Sequence, residues 1–399
     1  MSVRETVLNI FPSKYMRPRL RLGILLLLAV VLTACGGVAG GSWAGVSSSQ
    51  SGETIYVAYD RSVVALNAES GAVLWEYPDS ENRDAQFFAV PVADNGSVYV
   101  GDYKGRLHAI DAETGARQWL YEPERKTLIG PLSPDPTDRV ISGVALSPEL
   151  AFFGLGSRNV VAVSRGDASR VWTFETGHGV WGTPLYLDAE TSPRGEPVLL
   201  VTSLDHKLYA LDPATGDLFW SVNLGGAAPG DMLYDADRQR VYVGTFGAGV
   251  AAVDLVEGRV VGRFQTEEWV WSSPALADDQ LFIGDLGGNL YAVTIGDDGF
   301  SQNWKVNLTQ EAIRGTPLVA DDLVIVGARD GYIYAVNRAS GAEAWKKHVE
   351  GKVLTELVSV PAEDENGPVT VVAGTDNRDS LIVALNVATG ERDWTYANK

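Results

Sequence analysis

One unit recurs eight times along this chain: an apolar strand ending in Gly, a short turn, a second apolar strand, an Asx-x-x-Thr-Gly turn, then Trp. The clearest copy runs from Val98 through Gly101, Gly105, Leu107, Asp111 and Thr114-Gly115 to Trp119. The others begin near Ile55, Ala151, Leu199, Val241, Leu281, Val324 and Val371. Seven copies keep the terminal tryptophan, as Trp75, Trp119, Trp172, Trp220, Trp304, Trp345 and Trp394, while the fifth has Gly262 in its place. These positions lie 41 to 53 residues apart. That is the size of a four-stranded propeller blade.

Each part of the unit has a physical reason. Alternating apolar residues give each strand two faces, both to be buried between neighbouring blades. In Asp111 to Gly115 the Asp accepts from backbone N–H groups further along the turn, and the closing Gly supplies a positive φ. The same reasoning covers Asn67 to Gly71, Asp212 to Gly216, Asp254 to Gly258, Asn337 to Gly341 and Asn386 to Gly390. The third and sixth copies have degenerate turns, and the acidic residues of all these turns are read as structural. The tryptophan is large and flat enough to lock one blade to the next.

A further strand precedes each unit, marked by Pro91, Gly182-Thr183-Pro184, Ser272-Ser273-Pro274 and Gly315-Thr316-Pro317, with Trp43-Ala44-Gly45-Val46 as the first equivalent. The expected fold is therefore all-β, an eight-bladed β-propeller of four-stranded antiparallel blades over residues 43–399. One blade alone cannot bury its faces. The ring is expected to close where the strand near Trp43 meets the one near Trp394.

The first 42 residues read differently. Arg17-Pro18-Arg19-Leu20-Arg21 precedes an uncharged run of 11 residues, Leu22 to Leu32, and then Leu32-Thr33-Ala34-Cys35-Gly36. Such a run is too short to span a bilayer but suits the apolar region of a secretory signal. Residues 1–34 are expected to form a signal peptide, with Met16 as an alternative start. Leu-Thr-Ala-Cys resembles the lipobox of bacterial lipoproteins, which implies lipidation of Cys35, the only cysteine of the chain. The Gly-rich stretch 35–42 would then be a tether reaching roughly 25 Å when extended. The expected location is extracytoplasmic and membrane-anchored through the N-terminal lipid.

A net charge of −19 becomes −23 once the basic leader is set aside. So acidic a body repels phosphate backbones, which excludes nucleic acid as the expected partner.

At Ala109 to Trp119 and Ala210 to Trp220 the chain resembles the quinoprotein-type (PQQ-like) propeller repeat, Ala-x-Asp-x-x-Thr-Gly-x-x-x-Trp. A lipobox followed by eight such blades resembles the BamB family of the outer-membrane barrel assembly machinery. That resemblance implies a non-catalytic scaffold, without cofactor, that binds another envelope protein. The repeat also implies two alternatives: an oxidoreductase dependent on pyrroloquinoline quinone (PQQ) and calcium, and an outward-facing ligand-binding or sensor lipoprotein. Alcohol-dehydrogenase members carry an adjacent cysteine pair under the quinone, and this chain has only Cys35. No Asp-x-Asp-x-Asp-Gly calcium loop occurs, Gly296-Asp297-Asp298-Gly299 reads as a hairpin, and His108, His178, His206 and His348 are scattered. No catalytic and no metal-binding residue is assigned.

The remaining candidates are the tryptophans outside the repeat position. Trp181 and Trp271 stand three residues before their prolines, Trp43 holds the matching place in the first blade, and Phe88 and Arg314 hold it in two others. Innermost strands surround the axis, so Trp43, Phe88, Trp181, Trp271 and Arg314 are candidates for an aromatic and cationic collar that receives a partner or ligand. Packing between blades is the competing explanation. The mouth face should also receive the insertion Glu122 to Asp138, whereas the acidic inserts Asp188 to Glu196 and Ala362 to Asn366 belong to the opposite face and are read as solvated loops.

Overall fold

The computed structural model describes residues 43–78, 84–124, 138–247, 249–296, 299–361 and 369–398. Among them, 32 strands form eight sheets of four, each built from strands consecutive in sequence. The blades span residues 45–77, 92–121, 145–175, 185–223, 232–265, 275–307, 318–348 and 358–396, numbered 1 to 8 below. All pairings within a blade are antiparallel, and the fold is an eight-bladed β-propeller. The leader, the tether and Cys35 lie outside the described residues, as do most of the insertion after Glu124 and the acidic stretch 362–366.

Blade 2 illustrates how the pattern becomes a core. Val98 pairs with Ile110 and Tyr99 with Ala109, so adjacent pairs point to opposite faces. Val98, Val100 and Ile110 pack against Tyr56, Ala58 and Trp75 of blade 1. Tyr99, Leu107 and Ala109 pack against Ala151, Phe153 and Val161 of blade 3. The core is thus a series of blade-to-blade layers.

The third and fourth strands of every blade share one irregularity. Their register shifts immediately after an alanine, and in seven blades that alanine faces the repeat tryptophan: Ala65 faces Trp75, Ala109 faces Trp119, and Ala384 faces Trp394. A methyl group opposite an indole leaves room for the ring to lean onto the next blade. There the indole N–H donates to a backbone carbonyl, Trp75 to Ala112, Trp119 to Arg165, Trp172 to Pro213, Trp304 to Arg338 and Trp345 to Val387, at 2.8 to 3.0 Å.

The same ring explains the closing glycine of the turn. At Gly71 φ is +68°, and a Cβ there would come within 2.5 Å of the Trp394 ring. Gly is therefore required twice over, for the turn and for the close approach. Asn67 Oδ1 accepts from the Ser70 N–H at 2.9 Å, and Asp111 Oδ1 from the Thr114 N–H at 2.9 Å, which accounts for the Asx position.

Blade 5 departs from the pattern. Gly262 stands opposite Ala252, and Phe300 of blade 6 comes over it, packing against Tyr242 at 6.2 Å and Phe264 at 6.4 Å. A neighbour's ring thus fills the missing tryptophan's volume. Trp220, facing this blade, buries its Nε1 without a hydrogen-bond partner.

Ring closure differs from the expected meeting of two strands. The first and last blades are each complete, and they join face to face through Val46, Leu66, Val372 and Ala384. Trp394 donates to Ala68 O at 2.9 Å, Thr355 Oγ1 to Ala44 O at 3.0 Å, and Arg378 pairs with Asp60 at 2.7 Å. Thus Trp394 meets the outer turn of blade 1, while the residue beside Trp43 meets the inner end of blade 8. Radially arranged sheets bring like positions together, so inner and outer strands never join.

Candidate functional site: the mouth of the axial channel

The innermost strands are short, for example Val92–Asp94, Leu185–Leu187, Ala275–Ala277 and Leu318–Ala320. The residues leading into them form three layers along the axis. Outermost are Trp43, Phe88, Trp181, Trp271 and Arg314. Next comes a layer of small residues, including Ala44, Ala89, Gly182, Gly230, Ser272, Gly315 and Thr355. Ser272 Oγ donates to Gly315 O at 3.2 Å, joining blade 6 to blade 7 within this layer.

The third layer is polar. Gly143 N–H donates to Thr183 Oγ1 at 3.1 Å, Thr183 N–H to Asp231 Oδ1 at 2.5 Å, and Thr316 Oγ1 to Glu356 Oε1 at 2.5 Å. Each bond steps from one blade to the next around the axis. Burial raises the Asp231 carboxyl, and burial together with the Asp231 charge raises that of Glu356 to about 7. Glu356 nevertheless keeps accessible surface. A group that is desolvated yet accessible lines a narrow channel, where protein surrounds it and only the lumen is open.

The five collar candidates fall into two arcs. In blades 1 and 2, Trp43 packs on Phe88 at 5.6 Å, Phe88 on Tyr103 at 4.3 Å, and Arg139 lies 5.0 Å over the Tyr103 ring. Phe88 is only 6% exposed, so it is a packing residue. Burial pushes the Tyr103 hydroxyl up to about 12, so it remains protonated near neutrality.

The second arc belongs to blades 4 to 7. Trp181 and Trp271 come from blades 4 and 6, yet their rings lie 6.1 Å apart, because blade 5 offers only Pro229-Gly230 between them. Phe246, on a turn of blade 5, packs on Trp271 at 5.4 Å and stacks on Trp269 at 5.0 Å. The Arg314 guanidinium lies 3.8 Å over the Trp271 ring. Trp269 is 51% exposed, the one tryptophan among the exposed large apolar residues described. Phe246 and Trp269 were absent from the sequence-based collar. Turn residues carry no strand periodicity that would place them at the axis.

Carboxylates on the turns of this face are already occupied. Asp285 accepts from Tyr291 Oη at 2.8 Å and from Asn289 Nδ2 at 2.9 Å, Asp330 accepts from Tyr334 Oη at 2.5 Å, and Tyr209 donates to Asp205. In blade 2 a histidine takes the tyrosine's role: His108 Nε2 lies 3.1 Å from the fully buried Asp102, and its Nδ1 2.9 Å from Tyr77 Oη. Burial lowers the His108 pKa, which favours the neutral ring. These acids hold turns rather than ligands. Among the described residues no three His, Cys, Asp or Glu side chains gather in a way that could hold a metal ion.

The family model of outer membrane protein assembly factor BamB matches residues 34–175, 156–299 and 296–399. The chain belongs to the BamB family. BamB of Shewanella oneidensis is 22% identical over 281 residues, covering 58% of this chain and 66% of that protein. Quinohemoprotein alcohol dehydrogenase of Comamonas testosteroni is 28% identical over 229 residues, but covers 48% of this chain and only 32% of the enzyme. The solved structure of BamB from Moraxella catarrhalis superimposes with a TM-score of 0.62 at 19% identity, over 83% of this chain and 90% of that one. The chain thus spans slightly less than two thirds of the Shewanella protein and about a third of the dehydrogenase.

Proposed function

We propose that this protein is a lipid-anchored, non-catalytic scaffold of the BamB kind, acting in outer-membrane protein assembly. Lipidation at Cys35 would hold it at the periplasmic face of the outer membrane, or at the outer face of the cell membrane in a source with a single membrane. The working surface is the mouth of the axial channel at blades 4 to 7, and its occupant is another envelope protein. The observation that carries this reading is the aromatic group of exposed Trp269 and half-buried Phe246, Trp271 and Trp181, with Arg314 stacked on it. Trp and Arg in such a group are the residue types that dominate binding hot spots.

Affinity capture from detergent-solubilised membranes tests it. Replacing Trp181 and Trp271 together by Ala should abolish capture of the partner that the wild type retains, with an unchanged far-ultraviolet spectrum. Full capture by the folded double variant sinks the reading.

Partial likeness to quinoprotein dehydrogenases supports a second reading, a PQQ-dependent oxidoreductase. The residues present fit a calcium-bound quinone poorly. Among the described residues no three acidic, histidine or cysteine side chains gather to hold a metal ion, and Cys35 leaves no cysteine pair to floor a cofactor. Reconstitution with PQQ and Ca²⁺ is therefore expected to give no dye reduction, and sustained reduction would favour the enzyme.

A further inference from the structure

Several arginines elsewhere on the propeller have carboxylate partners. Arg378 meets Asp60 at 2.7 Å, Arg165 meets Asp94 at 2.5 Å, and Arg106 meets Asp102 at 2.6 Å. Arg314 and Arg329, both of blade 7 and both at the mouth, differ. Among the described residues neither side chain makes an ion pair or hydrogen bond. Arg329 is exposed, and its backbone N–H donates to Ala312 O at 3.0 Å, which sets it beside the segment leading to Arg314.

Arg314 is the more informative of the two. Its Nε is buried without a partner while its planar face is occupied by Trp271. A guanidinium stacked in this way is fixed in orientation, leaving its edge N–H groups as the free recognition element. Neighbouring turn carboxylates cannot turn towards it, because Asp285 and Asp330 are held by Tyr291, Asn289, Tyr332 and Tyr334. Burial and the like charge of Arg329 lower the Arg314 pKa, the direction expected of a cation that lacks its counter-ion. In a chain of net charge −19, two unpaired arginines together are a local exception.

From this geometry we infer that Arg314 and Arg329 bind a carboxylate of the protein partner, one whose adjacent apolar or aromatic side chain lies on the Trp271–Trp181 shelf. The inference rests on the mouth being the docking surface proposed above and names the chemistry that surface selects. A planar carboxylate matches the guanidinium edge in two parallel hydrogen bonds, and the apolar neighbour extends the stack already begun by Trp271. Beyond a screening length of about 8 Å at physiological salt, the acids of the body weaken this attraction little.

Calorimetric titration of the folded propeller with two probes tests the inference. N-acetyltryptophan carries the carboxylate beside an aromatic ring, and N-acetyltryptophanamide keeps the ring without the charge. The acid should bind about ten- to a hundredfold more tightly than the amide, the range for a charge-assisted hydrogen-bonded pair. Arg314→Gln should erase that preference, Arg329→Gln should reduce it, and Trp271→Ala should weaken both probes alike. Equal binding of acid and amide, or a preference that survives Arg314→Gln, overturns the inference. Capture of the membrane partner separates the two readings: if Arg314→Gln captures fully while the Trp181/Trp271 double variant does not, the docking surface stands and the carboxylate falls. Should PQQ, a planar polycarboxylate, bind at Arg314 more tightly than a peptide ending in Ala-Trp with a free carboxylate, the protein-partner assignment is overturned.

Discussion

The two arcs of the channel mouth begin from the same repeat position, yet the first buries Phe88 while the second buries none of its rings. In blades 1 and 2 the aromatic residues are adjacent, so Phe88 is closed over by Tyr103 and Trp43 and retains 6% exposure. In blades 4 to 6 the middle position is Pro229, and Trp181 and Trp271 close across the gap with Phe246 and Trp269 stacked outside them. Neighbour size decides the difference. Phe88, with a ring on either side, becomes core, whereas Trp181 and Trp271, on either side of a gap, stay half-buried, and only residues that keep surface are available to a partner.

Substitutions can break this comparison. Phe88→Ala should give the largest loss of stability, about 3 to 5 kcal/mol as for other buried aromatic truncations, with partner capture intact in the molecules that remain folded. Thermal denaturation and capture measured on one preparation would show it. Lost capture at full stability would mean that the first arc also faces the partner.

The polar layer beneath both arcs should respond to pH. The folded Glu356 carboxyl lies near 7 against an ordinary 4.5, so its contribution to stability is fully present below about 4.5 and is lost as pH rises through 7. Melting temperature should fall over that interval in the wild type, and fall less in Glu356→Gln. An identical pH profile for the two would show that Glu356 meets the lumen water as freely as a surface carboxylate. The smallest stability effect belongs to Trp269→Ala, expected within about 0.5 kcal/mol because the ring is half exposed. Its capture of the partner should nevertheless weaken, and the contrast with Phe88→Ala is the sharpest form of the comparison.

Much of the fold was legible because each repeat element answers a local demand. Asn67 and Asp111 hold their own turns, and Gly71 needs its positive φ whatever surrounds it. The pairing of Ala65 with Trp75 was less visible, since the alanine's smallness matters only once the ring leans to Ala112 of the next blade. Of the site, Trp43, Phe88, Trp181, Trp271 and Arg314 could be picked by position. Their division into buried Phe88 and four half-buried members could not, and neither could Phe246 and Trp269, which reach the mouth from a turn and a link between blades.

The sequence by itself determined the architecture, because a repeat with period-2 strands, an Asx turn and one large ring per unit has few other ways to bury its faces. Tertiary structure alone decided which mouth residues are free, that Arg314 lacks a counter-ion, and that Asp231 and Glu356 share one layer of the channel. Those properties depend on distances between residues of different blades. Ring closure sets such distances, and no single unit contains them.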